Sequence, residues 1–301
     1  MNRCIAFAVL LAVGGFSMAV TAGQQEEMVV EVEQLEDNLY VLRGGGGNSA
    51  AFVTGDGVVL VDTKMPGWGQ PLLDKIAELT PQPVSTIINT HTHFDHVGGN
   101  VEFPAAVEVV THENTERLMQ QWNDISGLNF AGENVFADSN GRGMPTRTFT
   151  DRLTLGSGAS QVDLYHFGRG HTGGDAWVVI PALRYAHTGD MFAGKGMPLI
   201  DANNGGSGVD FPGTLRNAHR TLTAVDTYIT GHSTQMAPDD LAEFADYVAT
   251  FVDDVREAKQ AGRSVEEFAG SWTPPSRFSG YDAATEQRLQ ANAQIIYDEL
   301  P

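Results

Sequence analysis

Between residues 91 and 96 the chain reads His91-Thr92-His93-Phe94-Asp95-His96. The apolar run just before it, at 84–89 (VSTIIN), predicts a short strand, so these six residues open the loop that leaves the strand's end. Three imidazoles and a carboxylate within six positions point to metal binding rather than to three separately buried histidines. Alternate residues of an extended segment share a face, so His91 and His93 can meet at one ion. A turn at Asp95-His96 would aim the next pair at a second ion nearby. Histidine and carboxylate without thiolate suit zinc, with iron or manganese also open.

Working outward from this loop, the pattern alternates between strands and helices. Residues 28–43 predict two strands about a turn at Asp37-Asn38, and residues 50–62 two more about Gly55-Asp56-Gly57. Leu72, Leu73, Ile76 and Leu79 predict a helix over 68–80, ended by Pro81 and Pro83. A strand (107–110) and a helix (111–121) follow the histidine loop. Residues 122–147 are polar and glycine-rich without a clear period, as expected of a lid or an excursion over a site. Strands are predicted at 148–155, 161–167, 176–181, 184–188 and 226–230, with a helix at 212–224. From 238 the chain reads as helical: 238–261, 264–270 and 282–299. The fold class expected is α/β, with two sheets inside and helices outside.

Composition excludes some functions. The 301 residues carry 18 Lys+Arg against 38 Asp+Glu, a net charge of -20. A field of that sign repels nucleic-acid backbones, so a small-molecule substrate is expected and no nucleic acid. Arg3, the apolar run 5–13 (IAFAVLLAV) and the small residues up to Ala22 read as a signal peptide, 1–22, cleaved after Ala22. The expected product is one domain, 23–301, ending in a helical tail and located in the periplasm or secreted. It would have no stable membrane insertion; its oligomeric state is left open. The single cysteine, Cys4, would leave with the signal, so no thiol chemistry is expected. No GxSxG elbow for a serine nucleophile is present.

Five motifs in order give the chain a resemblance to the metallo-β-lactamase-fold superfamily, over nearly all of 23–301. They are Asp62 in VVLVDT, the HTHFDH run, His171 in GRGHTGGD, Asp190 in HTGD and His232 in ITGHS. The resemblance implies an αββα sandwich with the site along one edge of the sheets. It implies that His91, His93 and His171 hold a first metal, that Asp95, His96 and His232 hold a second, and that Asp190 bridges them. Asp62 would steady the HTHFDH loop by hydrogen bonds rather than touch an ion. The other histidines, His112, His166, His187 and His219, match no motif, although His187 lies close enough to Asp190 to support it.

The resemblance also implies the chemistry. Two Zn²⁺ ions would acidify a shared water, and Asp95 would orient it as the catalytic group. A carboxylate at position 190 resembles the glyoxalase II-like thioesterases, lactonases and phosphodiesterases, whereas the true β-lactamases mostly carry Cys or Ser there. One more negative charge should hold the metals more tightly and soften their Lewis acidity. The expectation is an exported dinuclear zinc hydrolase of an ester, lactone, thioester or amide-type bond, with at most weak β-lactamase activity. The alternatives are a mononuclear iron persulfide dioxygenase and a non-catalytic periplasmic accessory protein of the same fold. Trp68 and Phe94 are candidate apolar walls for substrate, Lys195 a candidate for an anionic group, and the loop Gly44–Asn48 a candidate border of the cleft. The helical tail is expected to be scaffold only.

Overall fold

The computed structural model describes residues 28–301; the expected signal peptide, 1–22, lies outside them. Two sheets form the interior. The first has seven strands in sequence order: β1 (Glu31–Glu36), β2 (Leu39–Arg43), β3 (Ser49–Thr54), β4 (Gly57–Val61), β5 (Val84–Ile88), β6 (Glu108–His112) and β7 (Arg147–Phe149). It runs antiparallel from β1 to β4 and parallel from β4 to β7. The second sheet has the order β12-β11-β10-β9-β8, built from β8 (Arg152–Leu155), β9 (Val162–Tyr165), β10 (Trp177–Ile180), β11 (Tyr185–His187) and β12 (Thr227–Ile229).

Strand alternation assigns each sheet its two faces. Leu39, Val41, Phe52 and Val61 of the first sheet meet Leu164, Val178, Ile180 and Ile229 of the second in the central core. The intervening residues Leu42, Val58 and Leu60 turn outward onto Leu72 and Ile76 of helix α1 (Gly69–Leu79). On the far side, Trp177, Val179 and Tyr228 pack against four helices: α5 (Phe211–Thr221), α6 (Pro238–Gln260), α7 (Val265–Ala269) and α8 (Glu286–Glu299). Three further helices fall between β5 and β7 in the chain: α2 (Phe94–Val97), α3 (Glu113–Gln121) and α4 (Val135–Asp138). The layers are helix, sheet, sheet, helix, the αββα sandwich expected. No described helix is long and apolar enough to cross a membrane.

One expected strand is two. Residues 148–155 divide at Thr150-Asp151, where the chain leaves the first sheet as β7 and enters the second as β8. Phe149, Leu153 and Leu155 all face the central core, so the period-two pattern stays in phase across the break and hides it. The 122–147 excursion is largely irregular. It holds α4 and a bridge between Ile125 and Phe130.

Candidate metal centre

The ends of β4, β5, β11 and β12, together with the loop between β9 and β10, open on one rim, and each delivers one of the motif residues there. Asp62 follows β4 with φ 58°, a left-handed conformation unusual for aspartate. That turn carries its fully buried carboxylate beneath the histidine loop. It accepts from the Thr90 backbone N–H (2.8 Å), the Thr90 hydroxyl (2.7 Å) and His96 Nδ1 (2.7 Å). The loop then closes into α2, a short helix where a turn was expected, which aims Asp95 and His96 into the same rim.

Outside contacts fix the tautomers of four imidazoles. A carboxylate or carbonyl can only accept, so the ring nitrogen facing it carries the proton. His96 Nδ1 therefore donates to Asp62, His93 Nε2 to Asp201 (2.8 Å), and His171 Nδ1 to the Leu199 carbonyl (2.8 Å). The Thr90 hydroxyl gives its one proton to Asp62, so at its 3.0 Å contact with His91 Nδ1 it is the acceptor. The four remaining ring nitrogens point inward, toward one another and toward Asp190.

This arrangement fits a metal and little else. His93 Nδ1 and His171 Nε2 lie 3.0 Å apart with a lone pair on each. His91 Nε2 is buried and has no hydrogen-bond partner, and neither has Asp190 Oδ1. Burial, reinforced by the neighbouring imidazoles, holds His91 well below the ordinary histidine range and pushes His171 down too, so a proton does not fill the gap. His91, His93 and His171 form one group whose donor atoms lie within 4.8 Å of one another; Asp95, His96 and His232 form another; Asp190 joins His91 and His96 in a third. Asp190 thus stands between the two triads. His232 Nε2 is 3.2 Å from Asp190 Oδ2, 3.4 Å from Asp95 Oδ2 and 3.3 Å from His96 Nε2.

Charge differs between the two halves. Burial works against a proton on His96, but Asp190, Asp95 and Asp62 outweigh it and push its imidazole up to about 10. Asp190 raises His232 in the same way. In turn His232 and His96, against the cost of burial, hold the Asp190 carboxyl well below its usual range. The half containing His96 and His232 therefore attracts positive charge strongly.

Two glycines make the close packing possible. A Cβ at Gly47 would overlap the His96 ring, and one at Gly231 would overlap Asp190 Oδ1. The loop 44–48 is thus pressed onto the metal loop, with Gly47 N–H bonded to the Asp95 carbonyl (3.0 Å). Its ends are tied down. Asn48 binds the Thr230 and Ser233 carbonyls through its amide, and the buried Lys64 ammonium reaches the Leu42 and Gly47 carbonyls at 2.8 and 2.9 Å.

A cavity of about 440 Å³ opens over the centre. Phe94 lines it, as expected, with Ile125 and Leu128 of the 122–147 excursion; Phe130 stacks edge-on against Phe94 at 5.6 Å. Trp68 is not on this wall: its ring packs beneath Gly44 and Gly45 and joins the α1 side of the first sheet. Lys195 is on the wall, but its ammonium is held by Asp240 (2.7 Å) and Glu243 (3.1 Å) of α6, which leaves it poorly placed to receive an anion. The helical tail is more than scaffold, since Phe244 of α6 and Arg288 of α8 both line the cavity. His187 holds backbone, bonding the Asn48 carbonyl and receiving Gly189 N–H. Asp201, Thr90 and Arg288 are residues that motif reading missed. Asp201 sits in an ordinary-looking PLIDANN stretch, and only its complete burial beside His93 reveals it.

The model of the metallo-beta-lactamase superfamily matches residues 42–232, which span all five motifs. The chain belongs to that superfamily. It is 25% identical to the 2,4-dinitroanisole O-demethylase subunit alpha of Nocardioides sp. (strain JS1661), over 82% of this chain and 71% of that one. It is 30% identical to a hydroxyacylglutathione hydrolase of Nostoc punctiforme, over 62% of this chain and 58% of that one. Among solved structures, the metallo-beta-lactamase from Pontibacter korlensis superposes with a TM-score of 0.60 at 21% identity, covering 73% of this chain and 99% of its own. The sec-alkylsulfatase Pisa1 from Pseudomonas sp. gives 0.65 at 15% identity, over 90% of this chain and 50% of its own. These structures share the fold.

Proposed function

We propose that the protein is an exported dinuclear zinc hydrolase of an ester, lactone or thioester. The observation that carries this reading is the convergence of inward-facing ring nitrogens of His91, His93, His96 and His171, with Asp190 lying between two triads of donors. His91, His93 and His171 would hold one ion, Asp95, His96 and His232 the other, and Asp190 would touch both. Two divalent ions so held would acidify a water and polarise a carbonyl.

The protein's own groups supply the rest. The Asp95 carboxylate, partly exposed to the cavity, accepts a hydrogen bond from the attacking water and fixes its direction. Asp62, Thr90, Asp201 and the Leu199 carbonyl keep the imidazoles of His91, His93, His96 and His171 from rotating, so little reorganisation of these four is left for the reaction itself. Ile125, Leu128 and Phe94 shed bulk water from one side of the reacting group. The relatives named hydroxyacylglutathione hydrolase favour thioesters within this range. Export rests on the reading of residues 1–22, and N-terminal sequencing of the secreted protein should find a mature chain that begins at Gly23.

Metal stoichiometry on purified protein tests the centre directly. Two zinc ions per chain, and hydrolysis of an ester, lactone and thioester panel that chelator abolishes, are the expected outcomes. Asp190→Ala should drop bound zinc below two per chain and lower turnover by about 10²-fold or more. Unchanged metal content and turnover in that variant would remove Asp190 from the centre. One iron per chain with oxygen uptake on a persulfide would replace the hydrolase reading altogether.

A further inference from the structure

Among the described residues, the cavity has one cationic group with no hydrogen-bonded or ion-paired partner, favoured only at a distance by Asp190. Arg288 projects from the first turn of α8 into the wall of the same cavity as His232, Asp190 and Phe94. Among the described residues its guanidinium has no hydrogen-bonded or ion-paired carboxylate or carbonyl, and burial presses against its charge. Lys195, the other cation there, is already held by Asp240 and Glu243. A guanidinium keeps its proton and presents a planar fork of donors matched to a carboxylate. Leaving such a group half-buried without a partner is costly, and an anion delivered by a ligand relieves that cost. The adjoining wall, Ile125, Leu128 and Phe94, is apolar, and Gly127 between the first two touches α8.

We propose that Arg288 is the specificity residue of this site, and that the substrate is an ester, lactone or thioester bearing a carboxylate on the arm that reaches α8. This rests on the hydrolase reading given above. The carboxylate docks on Arg288, the scissile carbonyl lies over Asp95 and His232, and the apolar part of the substrate lies along Phe94 and Leu128. Asp282 also stands at the rim and disfavours a second anion beside the first.

The test uses three matched six-carbon phenyl esters on the zinc-loaded full chain: the hexanoate, the adipate half-ester with its free carboxylate, and the 6-aminohexanoate with its ammonium. The ratio of variant to wild type for each ester cancels intrinsic reactivity. In Arg288→Gln, KM for the adipate half-ester should rise about tenfold more than KM for the hexanoate, and Arg288→Lys should recover part of the loss. An equal factor for all three esters in Arg288→Gln, or a wild-type preference for the ammonium ester, would overturn the proposal. Calorimetric binding of glutarate separates the two readings and needs no turnover. If no ester is cleaved, the hydrolase reading falls, while glutarate binding about tenfold weaker in Arg288→Gln than in wild type upholds the carboxylate site. Equal glutarate binding by both proteins removes it. Where Arg288→Gln does not fold, the same comparisons are read from Arg288→Lys, whose single ammonium is expected to fall between wild type and no site at all.

Discussion

Asp201 shows how much of this centre depends on residues that never face the cavity. It accepts from His93 Nε2, from Ser126 N–H (2.9 Å) and from the Asn204 amide, and these bonds, working against burial, take its carboxyl down to about 2. Asp201→Ala would free the His93 ring to rotate and remove the group that makes Nδ1 a better donor. Zinc affinity at the His91, His93 and His171 triad should fall by about 10- to 100-fold, measured by chelator competition. An unchanged affinity would mean that packing alone orients His93. Lys64 poses the opposite case. Burial brings its ammonium down to about 7, partly offset by Asp62. The neutral amine has two hydrogens for its two carbonyl partners, so nothing is left unsatisfied when the third proton leaves. Below pH 7 folded and unfolded chains both carry that proton, and above about 10.5 neither does. In between only the unfolded chain binds it, so stability rises with pH, by up to ~1.4 kcal/mol per unit. In chelated protein the unfolding free energy of wild type relative to Lys64→Met should therefore climb from pH 7 to 10. A flat difference would show that Lys64 titrates normally.

At the level of elements, the loop 44–48 and the hairpin turn at Gly55 make a matched pair. A methyl group at Gly47 meets the His96 ring, whereas one at Gly55 meets nothing within 4 Å. Gly47→Ala should displace α2 or the imidazole and weaken zinc at Asp95, His96 and His232 by about tenfold or more. Gly55→Ala should leave stability within about 0.5 kcal/mol and zinc affinity unchanged. Metal titration and thermal melts of the two variants check this, and equal behaviour would show that the loop yields easily. The same scale explains what the sequence made legible. Hairpins such as β1–β2 and β3–β4 announce themselves through turn residues and alternation over a few positions. The histidine loop is equally local, and the Gly-His and Gly-Asp turns at 171, 190 and 232 mark strand ends. Asp201 acts on a residue 108 positions away, and Arg288 is one of 18 basic residues with no motif around it, so neither meaning exists before the chain is folded. Trp68 misled for the same reason, because a ring beside Asp62 in sequence lies under the glycine loop in space.

For the whole molecule, α6 to α8 decide whether the second sheet can exist in water. Leu241, Phe244, Val248, Phe251, Val255, Leu289 and Ile296 cover the face that holds Trp177, Val179 and Tyr228. Each such side chain is worth roughly 1.5–3 kcal/mol when buried, so the loss of all seven is comparable to the whole of the roughly 5–15 kcal/mol that usually holds a domain together. A chain ended after Ala237 should aggregate, although all seven predicted metal-binding residues remain in it. Recovery of a soluble truncated protein with a cooperative melt would show that the sandwich stands without its tail.

The two oxygens of Asp201 face in different directions, one toward an imidazole of the centre and one toward the backbone of the 122–147 excursion. A single side chain thereby couples ion occupancy to the posture of the segment that roofs the cavity. Such coupling is reciprocal: whatever draws Ser126 away loosens the grip on the cation, and filling the centre tightens the roof by the same free energy.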